Sequence, residues 1–313
     1  MFNTIEEYLD ALKTEMKDAD PALMQDAQAD AREHLSTALV VARESNPDIS
    51  EPDALKKIIE EYGSPEETAS AYREVERRTS PLLKQAVKPR SALGRFFGVY
   101  TDPRAWGGLL YMFIAFITGV FYFTWAITGV SVSVSFLIFI FGFPFALLFL
   151  LSVRGLALLE GRLVEALLGV RMPRRPLFSH QGMKWFDRLK TLLTDKATWL
   201  MLVYMIVQFV LGTVYFVLIV TVLSLSLSFI AIPILQESFG QGAIFNNGVR
   251  FFFPVWSYPI LFLAGILLWT TFMNIARGVG QLHGRLAKWL LVTEENNFLV
   301  ISQNNPAKRR IVF

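Results

Sequence analysis

The feature that most limits how this 313-residue chain can fold is a set of four long apolar runs that contain no Asp, Glu, Lys or Arg. Two lie between Arg104 and Arg154, at about 107–128 and 134–153; the third runs from Ala197 to about Val220, and the fourth covers about 254–276. Each is near the ~20 residues a helix needs to cross a ~30 Å hydrocarbon layer. In lipid only a helix or a closed barrel satisfies its own backbone, and the alternation of a barrel strand is missing over most of these runs. The alternating SVSVS segment at 131–135 falls where the first two helices turn into one another. The runs predict four transmembrane helices.

Charge divides the chain in two. Residues 1–80 hold 9 Lys/Arg against 19 Asp/Glu, whereas residues 81–313 hold 21 against 8, so the net charge of +3 describes neither part. Such asymmetry points to two domains in different surroundings. Basic residues of the second part cluster at 84–104, 154–196 and 277–310, with Arg250 alone in a segment assigned outside. Positive residues stay cytoplasmic, which predicts both termini inside, a tight outer turn near 129–133 and an outer loop at about 230–253. The spans so drawn contain no strong charge, Gln208 and Asn274 being their most polar members. Ion pathways usually need ionisable groups there, which disfavours an ion-coupled transporter. The N-terminus, MFNTIEEYLD, has neither the basic nor the apolar region of a cleavable signal.

The membrane half is duplicated. Thr101–Phe136 aligns without gaps to Thr194–Phe229, and Asp102/Asp195, Trp106/Trp199, Tyr111/Tyr204, Gly119/Gly212 and Tyr122/Tyr215 are among the identities. A second block, RGLALLEGRLVEALLG at 154–169, matches RGVGQLHGRLAKWLLV at 277–292. The unit is a helical hairpin followed by an amphipathic helix, used twice, with the added length of the second copy in its outer loop. Both copies begin and end inside, which predicts a parallel repeat with pseudo-twofold packing about the membrane normal. Gly119 and Gly212 are the candidates for close helix approach. The amphipathic segments should lie on the cytoplasmic membrane surface.

Residues of about 100–290 resemble the four-helix sensor module found at the N-terminus of some bacterial histidine kinases. The resemblance is carried by RGLALLEGRLVEALLGVRMPRRP after the second helix and DKATWLMLVYMIVQFVLGTVYFVLIVTVLSLSLS in the third. It implies signal reception in a membrane. No kinase follows: the stretch after residue 290 is too short for a catalytic domain, and no glycine-rich ATP loop is present.

Residues 3–79 read as four short helices with local stop and start signals. Thr4-Ile-Glu-Glu7 is a capping box, Asp20-Pro21 opens a second helix, and Ser50 opens a third that Gly63 ends. Ser64-Pro65-Glu66-Glu67 starts the fourth. The segment from EYLDALKTEM to YGSPEETASAYRE resembles the helical HAAS signalling domain, most specifically in YGSPEETA at 62–69. That resemblance implies signalling and a PadR-like transcription regulator as a cytoplasmic partner. Independently, the surplus of acid repels phosphate backbones, which argues against direct nucleic-acid binding. Glu60, Glu61, Glu66 and Glu67 are the candidate docking residues for a basic protein.

Chemistry-bearing patterns are few. There is no cysteine, which removes disulfides, thiolate catalysis and cysteine metal sites together. His34, His180 and His283 lack metal-ligand spacing, and no GxSxG or P-loop occurs. Neither a cofactor nor an enzymatic activity is expected. The basic, apolar stretch with Lys84, Lys88, Arg90, Arg95, Phe96 and Phe97 suits an anionic membrane surface. In the outer loop, Phe251, Phe252, Phe253 and Trp256 are candidates for a hydrophobic ligand or a partner contact. The expectation is thus an all-α protein of a bacterial inner membrane. An acidic cytoplasmic helical domain (1–80), a basic linker (81–104), a duplicated four-helix membrane domain (105–292) and a tail (293–313) make it up. It would couple a membrane or envelope signal to a cytoplasmic partner, with homo-oligomerisation left open. The alternatives are a small transporter or lipid-handling protein, and a structural subunit of a membrane complex.

Overall fold

The computed structural model describes residues 2–79, 91–136, 142–174, 185–240, 244–246 and 249–292. Four helices come first: α1 (Ile5–Glu15), α2 (Pro21–Ser45), α3 (Glu51–Tyr62) and α4 (Pro65–Thr79). Their ends follow from local chemistry. Thr4 caps α1 by accepting from the Glu7 amide, and Asp20 and Ser50 do the same for α2 and α3. Gly63 takes φ 107°, a value side chains rarely adopt, so the chain can leave α3 and enter the Ser64 cap at once. The apolar faces meet in one core around Tyr8, Leu12, Met16, Leu35 and Leu55, all fully buried. The Tyr8 hydroxyl donates to the Gly63 carbonyl at 2.9 Å and lies 3.0 Å from the Thr68 hydroxyl, which ties α1 to the turn before α4. His34 is exposed and stacks on Tyr62 with ring centroids 4.6 Å apart.

The remaining helices are α5 (Ala92–Phe97), α6 (Pro103–Phe136), α7 (Gly142–Leu168), α8 (Trp185–Thr194), α9 (Lys196–Phe239) and α10 (Tyr258–Leu291). Short 3-10 turns precede α6 and α10, and a small hairpin of β1 (Ile244–Asn246) and β2 (Val249–Phe251) interrupts the otherwise helical chain. Four helices, α6, α7, α9 and α10, are long and apolar enough to cross a membrane. The chain divides into two compact units. One holds 1–84, 125–204 and 285–313; the other holds 85–124 and 205–284.

Several expected boundaries move. The turn placed at 129–133 is helix, because α6 continues through SVSVS to Phe136; the connection falls at 137–141, outside the described residues. A helix closes its own backbone bonds, and Ser135 returns its hydroxyl to the Ser131 carbonyl, so these serines need no turn. The amphipathic segments are not separate surface helices. Arg154–Leu168 continues α7 and Arg277–Leu291 continues α10, since no proline or positive-φ glycine breaks either. The loop expected at about 230–253 also shortens: α9 runs on to Phe239 with Pro233 inside it, and at 1.5 Å per residue its 44 residues extend about 66 Å. Helix α8 has no counterpart among the elements the sequence predicts.

Candidate functional site

Within the first unit the acidic helices meet the segment that follows α7. Arg171 is 5% exposed and points its guanidinium at three carboxylates: Asp26 on α2 at 2.8 Å, Glu76 on α4 at 3.1 Å and Glu165 on α7 at 3.4 Å. Its Nη1 also donates to the Met172 carbonyl at 2.7 Å. Asp26 accepts a further bond from the Arg174 amide at 2.6 Å, and the Arg174 side chain reaches Glu165 at 2.8 Å. That hydrogen bond raises the guanidinium pKa of Arg174 above its ordinary value, so the charge is fixed. On α10, Lys288 holds Asp20 at 2.5–2.7 Å. A guanidinium offers five donors in a rigid fork, which is why one arginine can bind acids from three helices. The acidic charge expected to await a separate basic protein is therefore partly met by basic residues of this chain.

Repeat-equivalent residues make equivalent contacts, with the copies exchanged. Arg154 of the first copy is paired with Asp195 at the start of the second, both side chains 4% exposed, and also donates to Thr198 at 3.0 Å. Arg277 of the second copy pairs with Asp102 at the start of the first at 3.2 Å, with exposures of 28% and 9%. Both aspartates also cap the helix they precede, Asp102 at the Arg104 amide and Asp195 at the Ala197 amide. Further along, Glu160 and His283 occupy the same repeat position. The Tyr204 hydroxyl donates to Glu160 at 3.0 Å. The Tyr111 and Tyr215 hydroxyls lie 2.7 and 3.1 Å from the two ring nitrogens of His283. A neutral imidazole has one donor and one acceptor nitrogen, so one tyrosine donates to the ring and the other accepts from it. Gln208, fully buried, donates to Tyr111 at 3.3 Å and to Thr118 at 3.4 Å.

The membrane-capable helices thus extend beyond the uncharged runs and carry buried ionisable groups there. Arg154, Glu160 and His283 sit in helical extensions that were assigned to surface segments. Aligning the two RG blocks places Glu160 opposite His283, which was the signal available for this pair. Nothing local marks Arg171, because its partners come from α2, α4 and α7.

Gly119 and Gly212 lie where α6 crosses α9. A Cβ on Gly119 would come within 2.7 Å of the Gln208 carbonyl oxygen and 2.9 Å of the Phe209 Cα. One on Gly212 would collide with the backbone of Ala115 and Phe116, the repeat-equivalent residues. Phe116 stacks on Phe216 and Phe123 on Phe209, again reciprocal pairs.

The four candidate docking glutamates are exposed: Glu60 and Glu61 at the end of α3, Glu66 and Glu67 at the start of α4. Glu67 also accepts from the Ser64 amide at 2.9 Å, and this bond holds its carboxyl below the ordinary range. The aromatic candidates are not gathered into one place. Phe252 and Trp256 are exposed, at 56% and 72%, while Phe253 is half-buried with its amide bonded to Gln236. Phe251 closes β2, and its side chain lies outside the described residues, as do Lys84, Lys88, Arg90 and His180. Among the described residues no three His, Asp or Glu side chains group to hold a metal ion.

Residues 111–291 match the family described as Putative sensor, a region that takes in most of α6 and all of α7 through α10. No curated protein and no solved structure matches the chain.

Proposed function

Since this chain belongs to the Putative sensor family, we propose that it is a non-catalytic membrane sensor whose acidic helical domain is its output. Both termini face the cytoplasm of a bacterial cell in this reading, and the HAAS-like helices α1–α4 address a basic partner such as a PadR-like regulator. The observation that carries the proposal is Arg171. It lies just after a membrane-capable helix, is buried, and binds carboxylates of α2 and α4, so a shift of α7 acts directly on the acidic domain. Two discrete arrangements follow, latched and released. A signal need only favour one of them by its differential interaction with the bundle. Glu60, Glu61, Glu66 and Glu67 stay exposed in the latched state, while Asp26 and Glu76 become available on release.

The test uses the full chain in cells with a photo-crosslinking residue at Glu61. Arg171→Gln should raise crosslinking to a basic cytoplasmic protein severalfold over the unsubstituted chain. Equal crosslinking in the two, at equal protein level, refutes the latch as the output device.

A second reading, as a small transporter, draws on Glu160 and His283, because buried ionisable groups in membrane helices commonly mark transport paths. Proton leak through liposomes that disappears with both Glu160→Gln and His283→Gln would favour it over the sensor reading.

A further inference from the structure

Helices α7 and α10 each present one exposed stripe that starts among apolar residues and ends on an arginine. On α7 it runs through Leu148, Gly155 and Leu159 to Arg162, with Leu148 66% and Leu159 53% exposed. On α10 it runs through Leu267, Thr271, Gly278 and Leu282 to Arg285 and Trp289, with Leu282 68% and Trp289 73% exposed. Spacings of three, four and seven keep each set on one helix face. Leu159/Leu282 and Arg162/Arg285 are repeat equivalents, so the pattern occurs twice in one chain. The acidic neighbour on α7, Glu165, lies 2.8 Å from Arg174, 3.4 Å from Arg171 and 3.5 Å from Arg162, so its one charge is shared among three arginines. Arg162 spends single bonds on Glu165 and the Arg174 carbonyl, at 3.5 and 3.3 Å, and keeps the rest of its fork exposed. Arg285 makes no ion pair among the described residues.

We propose that these stripes bind anionic phospholipid, with acyl chains along Leu159 and Leu282 and headgroup phosphates on Arg162 and Arg285. The proposal rests on the reading of α7 and α10 as membrane-spanning. Continuity identifies the occupant: the face that meets hydrocarbon over Leu148 and Leu267 leads without interruption to the cation. A long cationic side chain at that level keeps its stem in the apolar layer and its head at the phosphates. An indole beside it, here Trp289, favours the same depth. Arginine binds phosphate through two parallel N–H bonds, which a zwitterionic headgroup offsets with its own ammonium and an anionic one does not. A cation near an anionic surface contributes about a factor of five in binding.

The experiment takes the full chain from bilayers that mix phosphatidylglycerol with phosphatidylcholine, and counts retained lipids by native mass spectrometry. The unsubstituted chain should retain phosphatidylglycerol over phosphatidylcholine by roughly fivefold per site. Arg162→Gln and Arg285→Gln should each lose one site's preference, and the double variant should approach parity. Arg162→Lys with Arg285→Lys should keep a preference, and Lys56→Gln on the exposed face of α3 should change nothing. Parity in the unsubstituted chain overturns the proposal. So does an unchanged preference in the double glutamine variant. If Trp289→Ser turned a dimer into a monomer without altering lipid retention, a second copy, not lipid, would cover the stripe. Failure here leaves Arg171 and the crosslinking readout untouched.

Discussion

The duplication supplies the same ion pair in two environments, and this allows a controlled prediction. Arg154 and Asp195 have side chains 4% exposed, whereas their equivalents Arg277 and Asp102 are 28% and 9% exposed. Replacing Arg154 by Gln removes one partner of a buried pair and leaves the Asp195 carboxylate without its counter-charge, at a cost of about 3–5 kcal/mol. The same change at Arg277 leaves Asp102 nearer solvent, where screening reduces the loss to about 1 kcal/mol. A chain of this size loses roughly 2–4 °C of melting temperature per kcal/mol. Arg154→Gln should therefore lower the melting midpoint by roughly 6–20 °C and Arg277→Gln by only about 2–4 °C. Tryptophan fluorescence during heating of the purified chain in one detergent reads both. A double variant, Arg154→Met with Asp195→Asn, should recover part of the first loss, because no buried charge then remains. Equal shifts for the two arginines would refute the argument from burial, and a larger shift for Arg277 would reverse it.

Two further outcomes follow from local geometry. Gly212→Leu and Gly119→Leu should each destabilise the chain by about 1–3 kcal/mol or more, since the new side chain meets helix backbone, which cannot rotate away. Leu110→Phe, at a position 50% exposed, should cost far less, and equal melting of all three would remove the close crossing of α6 and α9. For Glu67, the folded carboxyl lies below its unfolded value because Ser64 donates to it. Its contribution is therefore present above the ordinary carboxylate range and is lost as pH falls through the lowered value. Amide exchange at the start of α4 should accelerate in that acid window, and Glu67→Gln should flatten the dependence; a Gln variant with an unaltered acid profile would contradict it.

What the sequence discloses depends on how far apart the cooperating residues lie. Thr4 with Glu7, Asp20 before Pro21 and Ser64 with Glu67 act within one turn, so those helix starts are legible in the sequence alone. The ends of α6 and α9 could not, because serine, glycine and even Pro233 are accommodated when a long helix has apolar surroundings. Reading Arg154 as the edge of a surface helix was reasonable for an isolated charge. Burial of that charge depends on Asp195, which lies 41 residues on and is itself a helix cap. Arg171 is harder still. Two of its three carboxylates are 145 and 95 residues away, and RMPRR reads as ordinary positive flanking sequence.

The duplication also bears on how a single acidic domain docks. Two similar copies offer two similar docking faces, and one domain can use both only if they differ. Glu165 and Lys288 are equivalent by the repeat yet opposite in charge. Glu165 gathers Arg171 and Arg174, which in turn bind Asp26, so the first copy contributes a basic surface through an acid. Lys288 binds Asp20 directly, so the second copy contributes a basic surface through its own side chain. Asp20 and Asp26 lie six residues, about 1.7 turns, apart at the start of α2 and are answered by different copies. Lys288→Glu would make the two positions alike and set like charges against each other at Asp20. It should loosen the acidic helices, read as faster amide exchange at the start of α2, while α9 and the body of α10 keep their protection. Glu165→Lys should release them as well, by repelling Arg171 and Arg174 from their places. If Lys288→Glu left exchange at α2 unchanged, the divergence of the two copies would have no part in holding the domain.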